Sequence, residues 1–274
     1  MKKKSLAARL YRATANAVEP LLPKGARTPA HYLSRRWTNR LEAEYDFLMS
    51  RVMPGMTAVD VGANIGVFTY GFLARGANVV AIEPQPGCAS QIRAMHEMGF
   101  PRSPNRGALE VHVEAVSNQS GSAMLYVPLK NGRMDDESAS LKEAEGEAIR
   151  IEVPIRLLDD YKLDNVGVIK MDVEGREIPA LEGGSKTIRR WRPTILVEIE
   201  QRHHNEPIAQ VFSRIHEIIG PGYNAHFLDR SGRLRSFAEF DVQRDQLALR
   251  ENPLSRDYVR NFFFIPSETR QGGQ

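Results

Sequence analysis

Charged side chains gather at the ends of two apolar segments that the sequence predicts to be neighbouring strands. Lys170, Asp172 and Glu174 come at the end of the first segment, and Glu198 ends the second. Buried charges are costly, so this concentration indicates either a structural ion-pair network or a reaction site. In a site, Asp172 is our first candidate for a general base. Lys170, if paired with Glu198, would orient that carboxylate and keep it ionised.

Two histidines follow this cluster. His203 or His204 could serve as the base instead, or could join Glu198 and Asp172 as ligands of a divalent metal ion that acidifies a hydroxyl group. Adjacent histidines point in different directions on most backbones, so we do not expect both to bind one ion. The alternative is a loop imidazole without a catalytic role.

A glycine-rich turn, Asp60-Val-Gly-Ala-Asn-Ile-Gly66, follows a short apolar strand and precedes a helix. Gly62 permits a tight turn and close approach of a ligand, and Gly66 lets the helix pack closely. Glu83 ends the next strand, where a carboxylate can accept hydrogen bonds from both hydroxyls of an adenosine ribose. A nucleotide or nucleoside ligand fits this pattern.

Two features separate this turn from a dinucleotide site. Asn64 stands where a pyrophosphate-binding loop has its second glycine. The charge of Asp60 would oppose a pyrophosphate but could hold the ammonium of a methionine. The turn therefore favours an amino-acid nucleoside over the ligand of an NAD-linked oxidoreductase. A structural turn in another α/β enzyme is the alternative.

Predicted strands and helices alternate with short connections, which is typical of a doubly wound α/β fold with a mostly parallel sheet. Residues 223–228 and 261–265 predict an antiparallel hairpin at the C-terminal edge. Residues 109–116, 122–128 and 149–157 have strand character. The acidic segment 135–147 predicts a mobile surface loop, and we expect the loop over 130–147 to cover the substrate.

Basic residues are concentrated near the N-terminus. Residues 1–40 contain ten Lys or Arg and one acidic residue, Glu19, whereas acidic residues outnumber basic ones in the rest of the chain. This segment predicts an amphipathic helix that lies on an anionic membrane, covers the domain or packs in a dimer. Pro20, Pro23, Gly25 and Pro29 separate it from a second helical stretch over about 33–53. We divide the chain into this extension, a domain over 41–266 and a polar tail over 267–274.

Composition excludes several classes of protein. The single cysteine, Cys88, excludes an internal disulfide framework and a cysteine-based zinc cluster. No apolar run is long enough for a spanning helix. Arg9 and Arg12 interrupt any signal-peptide core, although the acid-poor start resembles a transit peptide in composition. The acidic body argues against nucleic acid as a partner. We expect a cytoplasmic protein that contacts membranes at most peripherally.

Several motifs in order resemble those of the FkbM family of methyltransferases. The likeness that these motifs carry runs from about residue 42 to residue 266, and the basic extension lies outside it. The motifs are DVGANIG at 60–66, IEP at 82–84, AVSN at 115–118, IKMDVEG at 169–175, LEGG at 181–184, RPTILVEIE at 192–200 and NFFFIP at 261–266.

This resemblance implies a class I S-adenosylmethionine-dependent methyltransferase with a Rossmann-like fold. It implies O-methylation of a hydroxyl on a sugar or a glycosylated metabolite, so the partner would be a small-molecule or glycan acceptor. A non-catalytic adaptor that kept the fold is the alternative from another class, and a homo-oligomer is compatible with either. The implied methionine site is Asp60, Gly62, Asn64 and Gly66, the ribose site is Glu83, and the adenine site is Glu114, Ala115 and Val116. Lys170, Asp172, Glu174 and Glu198 would line the reaction pocket.

Overall fold

The computed structural model describes residues 21–37, 43–130, 133–134, 138–143, 146–252, 255 and 257–267. Its α-helices are α1 (Lys24–Trp37), α2 (Ala43–Met49), α3 (Val67–Ala74), α4 (Pro86–Glu97), α5 (Glu177–Gly183), α6 (Ser185–Trp191), α7 (Ile208–Ile219) and α8 (Val242–Asp245). Its strands are β1 (Thr57–Val61), β2 (Asn78–Ile82), β3 (Leu109–His112), β4 (Ala115–Val116), β5 (Gly121–Lys130), β6 (Arg133–Met134), β7 (Ala148–Arg156), β8 (Val166–Met171), β9 (Thr194–Glu198), β10 (Tyr223–Leu228), β11 (Leu234–Ser236) and β12 (Asn261–Pro266).

The central sheet has the strand order β11-β10-β12-β9-β8-β1-β2-β3. Strands β3, β2, β1, β8 and β9 are mutually parallel. The chain moves outward from β1 to β3 on one side, then returns to β8 and moves outward to β9 on the other. The carboxyl ends of β1 and β8 therefore meet where the strand order reverses, which is where ligands bind in open α/β sheets. This topology confirms the doubly wound, mostly parallel α/β fold.

Both faces of the sheet are covered, as a parallel sheet requires. Val59 and Ile169 belong to a hydrophobic cluster on one face, while Ala58 and Val168 belong to a cluster on the other. All four side chains are fully buried. The apolar segments that end at the candidate site are thus rigid central strands.

The C-terminal strands pair as expected but occupy different places in the sheet. β10 and β12 are antiparallel, which confirms the predicted pair. However, β12 lies between β9 and β10, and the edge strand is β11, which the sequence analysis did not identify. Phe263 is fully buried in β12, whereas Leu234 in β11 is 38% exposed. A strand as apolar as β12 is stable only when it is covered on both sides.

The segment between β3 and β8 forms a second, smaller sheet. The expected strand over 109–116 is broken after His112, because β3 pairs with β2 while β4 pairs with β7. β5 and β7 form a long antiparallel pair. Ser140 exchanges two backbone hydrogen bonds with Tyr126 of β5, at 2.8 and 3.0 Å. Residues 138–143 are therefore anchored to this sheet rather than being part of a free surface loop.

Helix α1 packs against the domain. Thr28 Oγ1 donates a hydrogen bond of 2.5 Å to the backbone oxygen of Ile65, and the Tyr32 ring lies 4.8 Å from that of Tyr70. The expected break at Pro29 is wrong, because this proline lies inside α1. Its burial against the domain offsets the one backbone hydrogen bond that a proline removes.

Two expectations fall partly outside the described residues. The helical stretch over 33–53 corresponds to the end of α1 and to α2, with 38–42 not described, and the amphipathic helix near the N-terminus lies within undescribed residues 1–20. In the part of the chain that is described, the helices are too short or too polar to cross a membrane. The division into extension, domain and tail stays a prediction.

Candidate functional site

Two glycines shape the turn between β1 and α3. Gly62 has a φ of 69°, and a side chain there would overlap the backbone oxygen of Asp172. Gly66 has a φ of 85°, and a Cβ atom there would lie 2.8 Å from the side chain of Ile92 in α4. Both positions favour glycine because of this backbone geometry and crowding. The turn thereby brings the end of β1 against the end of β8.

Asp60 is completely buried beneath this turn. Its Oδ2 accepts hydrogen bonds from the backbone nitrogen and the hydroxyl of Thr69, at 2.9 and 2.7 Å. Its Oδ1 lies 3.7 Å from Lys170 Nζ. The carboxylate is directed into the protein and does not line the pocket described below. Any effect of Asp60 on a bound ammonium group would therefore act through its neighbours.

Glu83 is buried at the carboxyl end of β2. Its Oε2 accepts a hydrogen bond of 2.7 Å from the backbone nitrogen of Asn64, and its Oε1 accepts one of 2.8 Å from that of Gln85. Burial raises the pKa of Glu83 to about 7, and the two backbone hydrogen bonds oppose this shift. Asn64 itself has a φ of 50°. The glycine turn thus presents a backbone donor that fixes the orientation of this carboxylate.

Glu114 is held in place by a tyrosine and two basic side chains. The Tyr161 hydroxyl donates a hydrogen bond of 2.8 Å to Glu114 Oε1. Arg156 Nε lies 3.6 Å from Glu114 Oε2, and His112 Nδ1 lies 3.4 Å from Oε1. Burial, followed by the nearby Glu114, raises the pKa of Tyr161, which therefore remains a hydrogen-bond donor at neutral pH.

Three carboxylates meet at the ends of β8 and β9. One oxygen from each of Asp172, Glu174 and Glu198 lies within 4.8 Å of the others. Such proximity disfavours three ionised groups unless cations are near. Each carboxylate lies close to a basic side chain: Asp172 is 3.6 Å from Lys170, Glu174 is 3.1 Å from His203, and Glu198 is 3.6 Å from Arg260.

Lys170 lies beneath the carboxylates as a buried cation. Its Nζ donates a hydrogen bond of 2.7 Å to the backbone oxygen of Gly62. Burial lowers the pKa of Lys170, but the carboxylates of Asp172, Asp60 and Glu198 outweigh it, so the pKa lies above its ordinary value. A pair between Lys170 and Glu198 was one possibility that the sequence offered. Lys170 instead lies within 4 Å of Asp60 and Asp172, while Glu198 forms its ion pair with Arg260.

The two histidines face different carboxylates. His203 Nε2 lies 3.1 Å from Glu174, whereas His204 Nε2 lies 3.2 Å from Glu177 at the start of α5. This confirms that the adjacent imidazoles diverge. Among the residues that the structure describes, the group with metal-ligand spacing consists of Asp172, Glu174 and Glu198, without either histidine.

A pocket lies at the carboxyl ends of β1, β2 and β8. Of the residues expected in the site, the pocket is lined by Gly62, Asn64, Glu83, Glu114, Ala115, Val116, Asp172 and Glu174. Those outside its lining are Asp60, Gly66, Lys170, Glu198 and His203. The second group stands behind or beside the first, as the contacts of Asp60, Lys170 and Glu198 show.

The small sheet supplies wall residues that sequence reasoning missed. Leu125 of β5 and the segment Ala139–Leu141 line the pocket opposite the central strands. Ser140 Oγ donates a hydrogen bond of 2.9 Å to the backbone oxygen of Glu174. Tyr161 and Arg260 were also missed. Each meets its carboxylate only through tertiary packing, and no local spacing signals that contact.

Comparison with known proteins gives a family match. The model of the methyltransferase FkbM domain matches residues 60–228, more than half of the chain. No curated protein matches the sequence. The structure of the FkbM methyltransferase from Methylobacillus flagellatus is 17% identical with a TM-score of 0.48. That match covers 91% of this chain but only 57% of the other, which is considerably longer.

Two further solved structures are similar over most of the chain. A TehB-like SAM-dependent methyltransferase from Corynebacterium glutamicum is 11% identical with a TM-score of 0.41, covering 87% of this chain and 100% of the other. An rRNA methylase from Streptococcus thermophilus is 13% identical with a TM-score of 0.42, covering 82% and 95%. The family match spans the glycine turn, the carboxylates of β8 and β9 and the central strands between them. The chain belongs to the FkbM family of methyltransferases.

Proposed function

We propose that the protein transfers a methyl group from S-adenosylmethionine to a hydroxyl oxygen of a sugar or a glycosylated small molecule. The observation that carries this proposal is a single pocket lined by Glu83 at the end of β2 and by Asp172 at the end of β8. The first carboxylate suits a ribose, and the second suits a reacting hydroxyl. The family supports the methyl donor, and the choice of acceptor rests on the resemblance described above.

The lining residues fit the donor. Each oxygen of the Glu83 carboxylate accepts one backbone hydrogen bond, and a carboxylate offers about four lone-pair sites, so acceptor capacity remains for two ribose hydroxyls. Ala115 and Val116 provide an apolar surface for adenine. Glu114, oriented by Tyr161, can accept a hydrogen bond from the adenine amino group.

Asp172 is the proposed general base. When bound, S-adenosylmethionine supplies a methyl group on a sulfonium sulfur, which keeps the carbon–sulfur electron pair as a thioether. The acceptor oxygen forms the new bond to the methyl carbon, and Asp172 accepts the proton that this oxygen loses. Such proton transfer contributes roughly 10²–10⁴-fold to a rate. The remaining contribution of the protein is to hold donor and acceptor in line.

Lys170 and His203 act on the carboxylates in this proposal. Lys170 lies 3.6 Å from Asp172 and orients that carboxylate, and His203 fixes Glu174 beside it. Basic side chains lie beside all three carboxylates and supply positive charge there. The proposed reaction therefore uses no divalent metal ion.

Transfer of a labelled methyl group tests this proposal. Purified protein is incubated with labelled S-adenosylmethionine and with fractionated extract or a panel of glycosides, and the product bond is identified by mass spectrometry. We expect Asp172→Asn to reduce transfer at least 100-fold while S-adenosylhomocysteine binds within about twofold of wild type. The matched control is Asp164→Asn, which removes an exposed carboxylate that is paired with Arg190. Unchanged transfer by Asp172→Asn would remove Asp172 as the base, and binding without transfer to any acceptor would favour an adaptor.

We also propose peripheral contact with anionic membranes through the basic N-terminal region. Leu21 and Leu33 are 81% and 59% exposed, and Lys24 is exposed as well. Apolar insertion combined with basic charge is the physical basis of such binding. We expect sedimentation with phosphatidylglycerol vesicles but not with phosphatidylcholine vesicles. Deletion of residues 1–20 should weaken sedimentation and leave methyl transfer in solution intact. Equal sedimentation with both vesicles would contradict the proposal.

A further inference from the structure

Five charged residues line the pocket: Glu83, Glu114, Asp172, Glu174 and Arg176. The four carboxylates all have partners among the described residues. Two backbone nitrogens bind Glu83, and Tyr161 and Arg156 hold Glu114. Lys170 lies beside Asp172, and His203 lies beside Glu174. The negative charges of the pocket wall are therefore compensated locally.

Arg176 differs from these four residues. In the described part of the chain, its side chain forms no ion pair, and its Nε is buried without a hydrogen-bond acceptor. A guanidinium group carries five N–H donors and cannot be deprotonated in a protein. A buried donor without an acceptor destabilises the protein, and more so when the group is charged. A ligand that supplies an acceptor here would remove this cost.

The loop that carries Arg176 is held in one conformation. The backbone nitrogen of Gly175 donates a hydrogen bond of 2.7 Å to Glu177 Oε1. On the other side of Gly175, Ser140 binds the backbone oxygen of Glu174. These contacts fix the backbone next to Arg176 before any ligand binds, which reduces the entropy lost on binding.

We propose that Arg176 binds an anionic oxygen group of a molecule in the pocket, a carboxylate or a phosphate. Guanidinium is suited to both groups because its planar donors match their oxygens in pairs. The anion has two sources: the carboxylate of the amino-acid portion of the cofactor, or an acidic group on the acceptor. The inference rests on the proposed function, because that proposal identifies the nucleoside as S-adenosylmethionine. If the anion belongs to the acceptor instead, the substrates of the protein are acidic molecules.

Calorimetric titration with three probes separates the two sources. S-adenosylhomocysteine carries the carboxylate, 5′-methylthioadenosine keeps the nucleoside and thioether without it, and inorganic phosphate represents an acidic acceptor. If the cofactor supplies the anion, Arg176→Gln lowers the affinity for S-adenosylhomocysteine at least tenfold and leaves the affinity for 5′-methylthioadenosine unchanged. If the acceptor supplies the anion, Arg176→Gln leaves the affinities for both nucleosides unchanged and abolishes phosphate binding. Arg190→Gln, which neutralises an exposed guanidinium in α6, is the matched control.

The Arg176 Nε–H resonance provides a direct readout that does not depend on activity. It is assigned in ¹⁵N-labelled protein by its absence from Arg176→Gln, and it should shift when one of the two anionic probes is added but not with 5′-methylthioadenosine. Arg176→Lys should retain part of the anion affinity, because it keeps the charge and loses the planar geometry.

Two results would overturn the inference. One is an Arg176→Gln variant that binds all three probes like wild type. The other is an equal loss of affinity for S-adenosylhomocysteine and 5′-methylthioadenosine, which would indicate a structural role. Failure of the proposed function looks different, because neither nucleoside would then bind to wild type. Phosphate titration of the ligand-free protein still tests Arg176 in that case.

Discussion

Lys170 Nζ donates a hydrogen bond of 2.7 Å to the carbonyl oxygen of Gly62, which ties the end of β8 to the turn after β1. The same ammonium lies within 4 Å of Asp60 and Asp172. One buried cation thus connects the turn that shapes the nucleoside end of the pocket to the carboxylate proposed as the base.

We expect Lys170→Met to lower the free energy of unfolding by about 3 kcal/mol or more. Methionine keeps most of the side-chain volume, but the buried Asp60 loses its cation, and breaking one partner of a buried pair typically costs ~3–5 kcal/mol. Urea denaturation measures the change. Lys186→Met, at an exposed position in α6, should change stability by less than about 0.5 kcal/mol. Equal stabilities of the two variants would show that Lys170 is not needed to compensate Asp60.

The raised pKa of Glu83 predicts a pH dependence of folding. In the folded protein this pKa is about 7, above the ordinary value of 4.5. The folded state therefore holds the proton more tightly than the unfolded state, and the resulting stability is present below pH 4.5 and lost as pH rises through 7. The full contribution of Glu83 protonation to the free energy of unfolding is on the order of 3 kcal/mol. Urea denaturation of ligand-free wild type and Glu83→Gln between pH 5 and 8 measures it. The difference in unfolding free energy between the two proteins should change with pH, and a constant difference would contradict the shifted pKa.

Ligand binding should depend on pH in the opposite direction. Ribose hydroxyls donate to an ionised carboxylate, so nucleoside affinity should increase as pH rises through about 7. The probe is 5′-methylthioadenosine, because it lacks the titrating amino-acid portion. We expect this pH dependence in wild type and its loss in Glu83→Gln. The same pH profile in both proteins would exclude contact between Glu83 and the ribose.

The Tyr161 hydroxyl should determine selectivity for adenine. It orients Glu114 Oε1, which we propose accepts a hydrogen bond from the adenine amino group. Tyr161→Phe should lower the affinity for S-adenosylhomocysteine roughly three- to tenfold, since a hydrogen bond contributes about 1 kcal/mol. It should affect S-inosylhomocysteine much less, because that analogue lacks the amino group. Competition binding measures both ligands.

A second tyrosine provides the control for this selectivity. Tyr223 donates a buried hydrogen bond of 3.0 Å to the backbone oxygen of Pro193 and does not line the pocket. Tyr223→Phe should reduce stability without changing the ratio of the two affinities. If Tyr161→Phe also leaves the ratio of the affinities for S-adenosylhomocysteine and S-inosylhomocysteine unchanged, Glu114 does not accept a hydrogen bond from the adenine amino group.

The sequence predicts the positions of residues well where those positions depend on local order along the chain. The turn at Gly62 and the carboxylate of Glu83 follow from the alternation of apolar strands with polar ends, because parallel strands bring their carboxyl ends to one edge of the sheet. The contact between Asn64 and Glu83 was not foreseen in detail, but both residues were placed at that edge. Short connections and a strong apolar pattern made this part of the fold predictable.

The rest of the site depends on contacts between distant segments. Tyr161 reaches Glu114 from 47 residues away, and Ser140 reaches Glu174 from 34 residues away. The acidic composition around Ser140 predicted a free loop, because composition does not reveal backbone pairing with β5. Asp60 was expected to hold the ammonium of a methionine, yet the hydrogen bonds from Thr69 turn its carboxylate inward.

A crystal structure of the protein with S-adenosylhomocysteine tests the central claim most directly. We expect the ribose hydroxyls within hydrogen-bonding distance of Glu83, adenine against Ala115 and Val116, and the sulfur on the side of Asp172. A nucleoside bound elsewhere, or a dinucleotide that occupies the same pocket in preference to it, would contradict the proposed function.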